Sequence, residues 1–308
     1  MKLLPGLSFS TLLVIAGLTA LSGVAKATIL PENNLFVFDD KAKIANITEE
    51  QFNTIIKEVI DFYIPLAKMH GATLTSNNNW TDSTVNAYAQ QSGTTWTVSM
   101  FGGLARRDEV TADGFTMVVC HEIGHHFGGF AFIGSSWAAA EGQADYYATE
   151  TCAKAIWGKQ TAQNAEHIKT VNAIAKAGCD KSWKTEDERN LCYRTSDAGS
   201  SLANLLAALG SKTAGMPKFD TPDKKQVTTT DTAHPKAQCR LDTYYQGALC
   251  GKSVDLTVIP GRNHPAGQGS MDAEKEASKY SCFASAADST GSRPRCWFKP
   301  RVVGSFVD

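Results

Sequence analysis

The amino-acid sequence predicts an α+β fold, mainly helical, with a small β-hairpin carrying an edge strand and a disulfide-stapled C-terminal extension. Three observations predict it. Apolar residues recur at helical spacing in several stretches, each closed by glycine or proline. One region only, around Thr84 to Phe101, shifts to β-branched and aromatic residues about a turn signal. All eight cysteines lie after residue 119 and none forms a C-x-x-C pair, which favours disulfides over a cysteine metal cluster.

The chain has 308 residues, 43% of them hydrophobic, enough for one large domain or two small ones. Its net charge is -1 and it has no long basic run, so neither nucleic acid nor an anionic membrane surface is an expected partner.

Taken in order, residues 1–27 read as a signal peptide. Lys2 is the positive end, Leu12 to Leu21 the apolar core, and Ala25-Lys26-Ala27 the cleavage site, so the mature chain is expected to start at Thr28. No later stretch has the length of a membrane helix, and an exported protein, periplasmic or secreted, follows. Residues 28–250 form the expected main domain and residues 251–308 the extension. Thr48-Glu49-Glu50-Gln51 is a capping box, and Phe52, Ile55, Ile56, Val59, Ile60 and Tyr63 follow on one helical face. The segments 84–89 and 95–101 flank Ser92-Gly93 as a hairpin, whose open edge would suit an extended peptide. Thr111 or Asp113 caps the next helix, which runs to Phe127 and stops at Gly128-Gly129. Ser136 is the expected cap of another helix, ending near Gly158. Helical patterns then precede Gly178 and Gly210, residues 212–231 are a polar loop, and His234-Pro235 opens a short helix through Arg240 and Tyr245. Pairing neighbouring cysteines gives Cys120–Cys152, Cys179–Cys192, Cys239–Cys250 and Cys282–Cys296, the simplest of the 105 connectivities eight cysteines allow.

The chemistry concentrates at Cys120-His121-Glu122-Ile123-Gly124-His125-His126, an H-E-x-x-H pattern. Positions i and i+4 share a helix face, so His121 and His125 point at one site with Glu122 beside them. Two imidazoles of this kind suit zinc, and the intervening glutamate can act as general base. His126 points about 100° away and is expected to pack. A catalytic zinc ion needs a third protein ligand. Glu141 is the best candidate, with Asp145 one turn on to accept the second ring N–H of His121. Their Ala- and Tyr-rich flanks point to a buried face, where carboxylates need partners. A third histidine three residues after Gly128 would indicate a metzincin, but that residue is Ala131.

With these residues in place, the chain resembles the gluzincins of the HtpX-like and CAAX-prenyl-protease-like superfamily. The likeness spans about residues 84 to 245. It rests on Val85-Asn86-Ala87-Tyr88-Ala89, Phe101-Gly102-Gly103-Leu104, His121 to His125, Glu141 to Asp145, and His234-Pro235 with Arg240. The resemblance implies a zincin-like metalloprotease domain with one catalytic zinc ion, ligated by His121, His125 and Glu141, with Asp145 supporting them. It also implies that Asn86 binds substrate and that His234 and Arg240 approach the active site, where either can stabilise an oxyanion. Many relatives are membrane-embedded and this chain is not, so prenylated substrates are not carried over. The expected function is an exported zinc metalloendopeptidase acting on protein or peptide, with Glu122 as general base. The alternative is a zinc-stabilised peptide-binding or chaperone-like protein without turnover. A third option is a latent enzyme covered by the loop before His234.

Overall fold

The structure, a computed structural model, describes residues 26–38, 46–210, 215–282 and 289–301. It is α+β, with about 48% helix and one small four-stranded sheet. No described helix is long and apolar enough to cross a membrane. Most of the expected signal peptide, residues 1–25, lies outside the described residues.

Helix α1 (Glu49–Met69) opens on the expected capping box, Thr48 and Gln51 each accepting from the other's backbone amide. Strands β3 (Ala87–Ser92) and β4 (Thr95–Phe101) form the expected hairpin, turning at Gly93 with φ 57°. Two further strands complete the sheet, in the order β1-β3-β4-β2. β2 (Thr73–Asn79) runs parallel to β4, and the short β1 (Lys26–Thr28) runs antiparallel to β3.

One face of the sheet, through Leu74, Ala87, Trp96, Val98 and Met100, joins α1 and α3 (Ala112–Phe127) in the main core. Every residue of α3 from Gly114 to Phe127 is buried. A helix buried on all sides belongs in the middle of a fold, and α3 is that helix, its polar His121, Glu122, His125 and His126 included. α8 (Glu186–Leu209) packs against it, and α9 (Ala237–Leu249) packs against α8. A short α2 (Gly102–Ala105) precedes α3, α5 (Ala153–Trp157), α6 (Thr161–Glu166) and α7 (Ala173–Ser182) come before α8, and α10 (Met271–Ala277) follows α9. The expected C-terminal extension packs against the main domain. Trp297 and Phe298 share a second apolar cluster with Phe130, Phe132, Ala140 and Cys239.

Two expectations are corrected. The helix expected from Ser136 starts instead at Glu141, as α4 (Glu141–Tyr147). The Ser136 hydroxyl accepts from the Ala138 amide, a local turn that competes with helix, and Phe132 and Ala139 pair across the loop. Among the cysteines, Cys120–Cys152 and Cys179–Cys192 pair as expected. The other four are exchanged, as Cys239–Cys296 and Cys250–Cys282 rather than Cys239–Cys250 and Cys282–Cys296. The cause is α9. At 1.5 Å of rise per residue it holds Cys239 and Cys250 about 16 Å apart, well beyond the reach of a disulfide.

Candidate metal centre

α3 begins at Thr111, whose hydroxyl accepts from the Gly114 amide. Two turns of apolar side chains sink it into the core before His121 and His125 appear on one face, ring centroids 4.7 Å apart. After α3 the chain turns back through Gly128 and Gly129, the latter at φ 68°. The Ala139 amide then donates to the His125 carbonyl, so Glu141, in the first turn of α4, arrives opposite the two imidazoles. The helices come this close because residue 124 is glycine: a Cβ there would lie 2.8 Å from the Ala144 carbonyl oxygen.

His121 Nε2 lies 3.3 Å from Glu141 Oε2, and His125 Nε2 lies 3.7 Å from Glu141 Oε1. Ligands about 2.05 Å from a tetrahedral ion stand about 3.3 Å from one another, so this spacing suits three donors around one ion. The two imidazole Nδ1 atoms are already committed. His121 Nδ1 donates to Asp145 Oδ1 at 2.8 Å and His125 Nδ1 to the Ala139 carbonyl at 2.8 Å, which turns both Nε2 lone pairs toward Glu141. His121 Nε2, His125 Nε2, Glu141 Oε2 and both oxygens of Glu122 are buried without a hydrogen-bond partner. Buried polar atoms are rarely left so, and five in one place fit a site for a cation with a reacting group beside it. His121, His125 and Glu141 are a buried donor set able to hold a metal ion. Asp223, Cys239 and Cys296 also converge, but those two sulfurs are bonded to each other and offer no thiolate.

The electrostatics follow from burial and charge. Burial pushes the Glu122 carboxyl up to about 8, against the opposing charge of His121. Burial alone would lower His121, but the Asp145 charge and hydrogen bond outweigh it and raise it to about 9. For His125 burial wins, and its pKa falls to about 4. Burial opposes ionisation of Asp145 too, yet the Arg240 and His121 charges hold it far below the usual carboxylate range.

Arg240 sits behind the centre. It is fully buried, its Nε donates to Asp145 Oδ2 at 2.7 Å, its Nη2 donates to Asp145 Oδ1 at 2.6 Å, and its Nη1 donates to the Ile29 carbonyl at 2.6 Å. Tyr244, one turn on along α9, donates to the same Asp145 Oδ1 at 2.6 Å. The sequence pointed to Arg240 and missed Tyr244, although i,i+4 spacing from Arg240 was a usable signal. His234 stands at the rim, its Nε2 3.5 Å from Glu141 Oε2 and 2.7 Å from the Thr28 carbonyl oxygen. Asn86 lies farther along, bound to Leu30: its Oδ1 accepts from the Leu30 amide at 3.2 Å and its Nδ2 donates to the Leu30 carbonyl at 3.3 Å. His126 packs as expected, its ring stacked between Trp96 and Trp137 at 5.3 and 5.0 Å.

No protein-family model, curated protein or solved structure matches the chain.

Proposed function

We propose that the chain is a zinc-dependent endopeptidase that hydrolyses peptide bonds in extended polypeptides. The observation that carries this is the unpartnered Glu122 carboxylate beside the two-histidine, one-glutamate donor set. A site built only to bind a structural ion needs no free base next to it. Two imidazoles and one carboxylate are the donors of a catalytic zinc ion, with a fourth position left open. When bound, such an ion polarises the scissile carbonyl and makes water acidic enough to attack at neutral pH.

The chain's own residues supply the rest. Glu122 takes the proton of the attacking water and passes it to the leaving amine. His234, at the rim, donates a hydrogen bond to the carbonyl oxygen as negative charge builds on it. Asp145 fixes the ring of His121, and Arg240 with Tyr244 keeps Asp145 ionised and in place. In this assignment Arg240 is a positioning residue, since its guanidinium is spent on Asp145 and Ile29.

Casein, with and without chelator, tests the activity, and Glu122→Gln tests the mechanism. The variant should keep its metal, measured by elemental analysis, and lose about 10²- to 10⁴-fold in cleavage rate. Cleavage by Glu122→Gln at the parent rate refutes Glu122 as the base. Capture of unfolded casein with no cleavage by the metal-loaded parent supports the chaperone-like alternative instead.

A further inference from the structure

We propose that the segment Thr28–Leu30 occupies the path of the substrate, held as an extended substrate chain would be, and closes the centre until such a chain displaces it. The consequence for activity rests on the peptidase reading; the competition for the cleft does not.

The centre is sealed. His121, Glu122 and His125 are fully buried and Glu141 is 3% exposed, so neither a chain nor bulk water reaches the base as the molecule stands. The loop before His234, the expected cover, lies elsewhere: Val227 and Asp231 donate their amides to the Arg295 and Trp297 carbonyls. What crosses the site is the chain that continues β1. It runs antiparallel to β3, Thr28 opposite Tyr88, and the Ile29 amide donates to the Ala87 carbonyl at 3.3 Å. Addition of an extended peptide to a sheet edge has this geometry.

His234, Arg240 and Asn86 all bind this one segment, and only through its backbone. His234 reaches the Thr28 carbonyl, Arg240 the Ile29 carbonyl, and Asn86 both the amide and the carbonyl of Leu30. Backbone contacts carry no sequence requirement, so any extended chain can make them. The Thr28–Ile29 peptide bond lies at the rim of the site: its carbonyl is on His234, whose Nε2 is 3.5 Å from Glu141 Oε2, and its amide is on the Ala87 carbonyl. The Ile29 side chain is fully buried next to it. The substrate class that replaces the segment is therefore an extended polypeptide with an aliphatic residue directly after the carbonyl that His234 holds. Cleavage after Ala27 would remove Lys26 and Ala27 and leave all of these contacts with Thr28, Ile29 and Leu30 in place.

A reversible lock tests this. The Ile29 amide donates to the Ala87 carbonyl, so Thr28 and Tyr88, one position on, face each other as a non-hydrogen-bonded pair, whose usual Cα separation of about 4.5 Å accepts a disulfide. The variant Thr28→Cys/Tyr88→Cys is assayed oxidised and after mild reduction, with the parent under the same reductant as control. One readout is casein cleavage. The other, on the lock combined with Glu122→Gln, is binding of a labelled peptide Lys-Ala-Thr-Ile-Leu-Pro-Glu-Asn by fluorescence anisotropy. Oxidation should weaken both at least roughly tenfold, about 1.4 kcal/mol in binding, and reduction should restore them. Equal peptide affinity in the two states, no peptide binding in either, or full cleavage by the locked form overturns the proposal. Gated peptide binding with no cleavage by any form supports it while refuting the peptidase reading.

Discussion

Replacing Asp145 by asparagine shows how much one buried carboxylate contributes to this centre. Asp145 is fully buried and accepts from His121 Nδ1, Arg240 Nε, Arg240 Nη2 and the Tyr244 hydroxyl. Asparagine keeps the shape but carries no charge and turns one acceptor into a donor. Arg240, itself fully buried, then has no anionic partner. Removing one member of a buried ion pair costs about 3–5 kcal/mol, against a total stability of roughly 5–15 kcal/mol for a typical domain. At about 2–4 °C per kcal/mol for a chain of this size, Tm should fall by on the order of 10 °C. His121 also loses the acceptor that fixes its ring, so metal affinity should drop about 10- to 100-fold. The assay is thermal unfolding followed by circular dichroism, in chelator and across a zinc titration. A second variant, Asp145→Leu/Arg240→Met, removes both charges. It should recover much of the stability lost in chelator and none of the metal affinity. If Asp145→Asn shifts Tm in chelator by less than about 2 °C, equivalent to under ~1 kcal/mol, and binds zinc as the parent does, the reasoning about this network is wrong.

Other consequences are open to direct measurement. His167 bridges Asp113 and Asp197 at 3.0 and 2.9 Å; burial alone would lower its pKa, but the two carboxylates outweigh burial and raise it to about 9. Its contribution to stability is complete below the ordinary value near 6.5 and is lost as pH rises through about 9. With 22% of the side chain exposed the loss should be about 1–2 kcal/mol, read from urea unfolding at several pH values; an identical pH slope in His167→Gln would count against it. Gly124→Ala would set a Cβ 2.8 Å from Ala144 backbone and push α4 from α3. It should cost about 1–3 kcal/mol and weaken metal binding, and unchanged affinity by competition titration would show that the helices tolerate the shift. Non-reducing peptide mapping should recover Cys239 joined to Cys296 and Cys250 joined to Cys282; recovery of Cys239 joined to Cys250 would contradict the α9 geometry.

What the sequence revealed, and what it hid, follows from how local each signal is. The hairpin, α1 and α3 declared themselves through capping residues and periodicity, and the donor set through i,i+4 spacing on two buried helices. β2 was hidden because Thr73–Asn79 is polar at nearly every position, and only Leu74 of its seven residues is buried. α8 was seen only at its apolar end, although Thr185 and Glu188 form a capping box that marks its start. The exchanged disulfides were within reach, since a helix through Arg240 and Tyr245 already separates Cys239 from Cys250. β1 was not, because two of its three residues, Lys26 and Ala27, fall in the signature of a leader cleavage site and its partner β3 is about sixty residues away.

The cysteines and the C-terminal segment explain how a centre with so many buried polar atoms holds its shape. Cys120 precedes His121 on α3, and Cys152 lies on the π-helical continuation of α4 (Ala148–Cys152), so their disulfide joins the two ligand-bearing helices covalently. Trp297 fills the space left by Gly142, where a Cβ would stand 2.2 Å from the indole ring, one residue from Glu141. Arg293 donates to the Phe130 carbonyl and to Gln143, and Tyr146 donates to the Gly291 carbonyl, fixing α4 from its other side. Without such ties, the unpartnered Nε2 and Oε atoms would favour separation of α3 and α4 toward water, since each costs about 1–3 kcal/mol when buried alone. With them, the donors stay converged before any ion arrives, and the binding energy of the ion adds to stability instead of being spent on ordering the site.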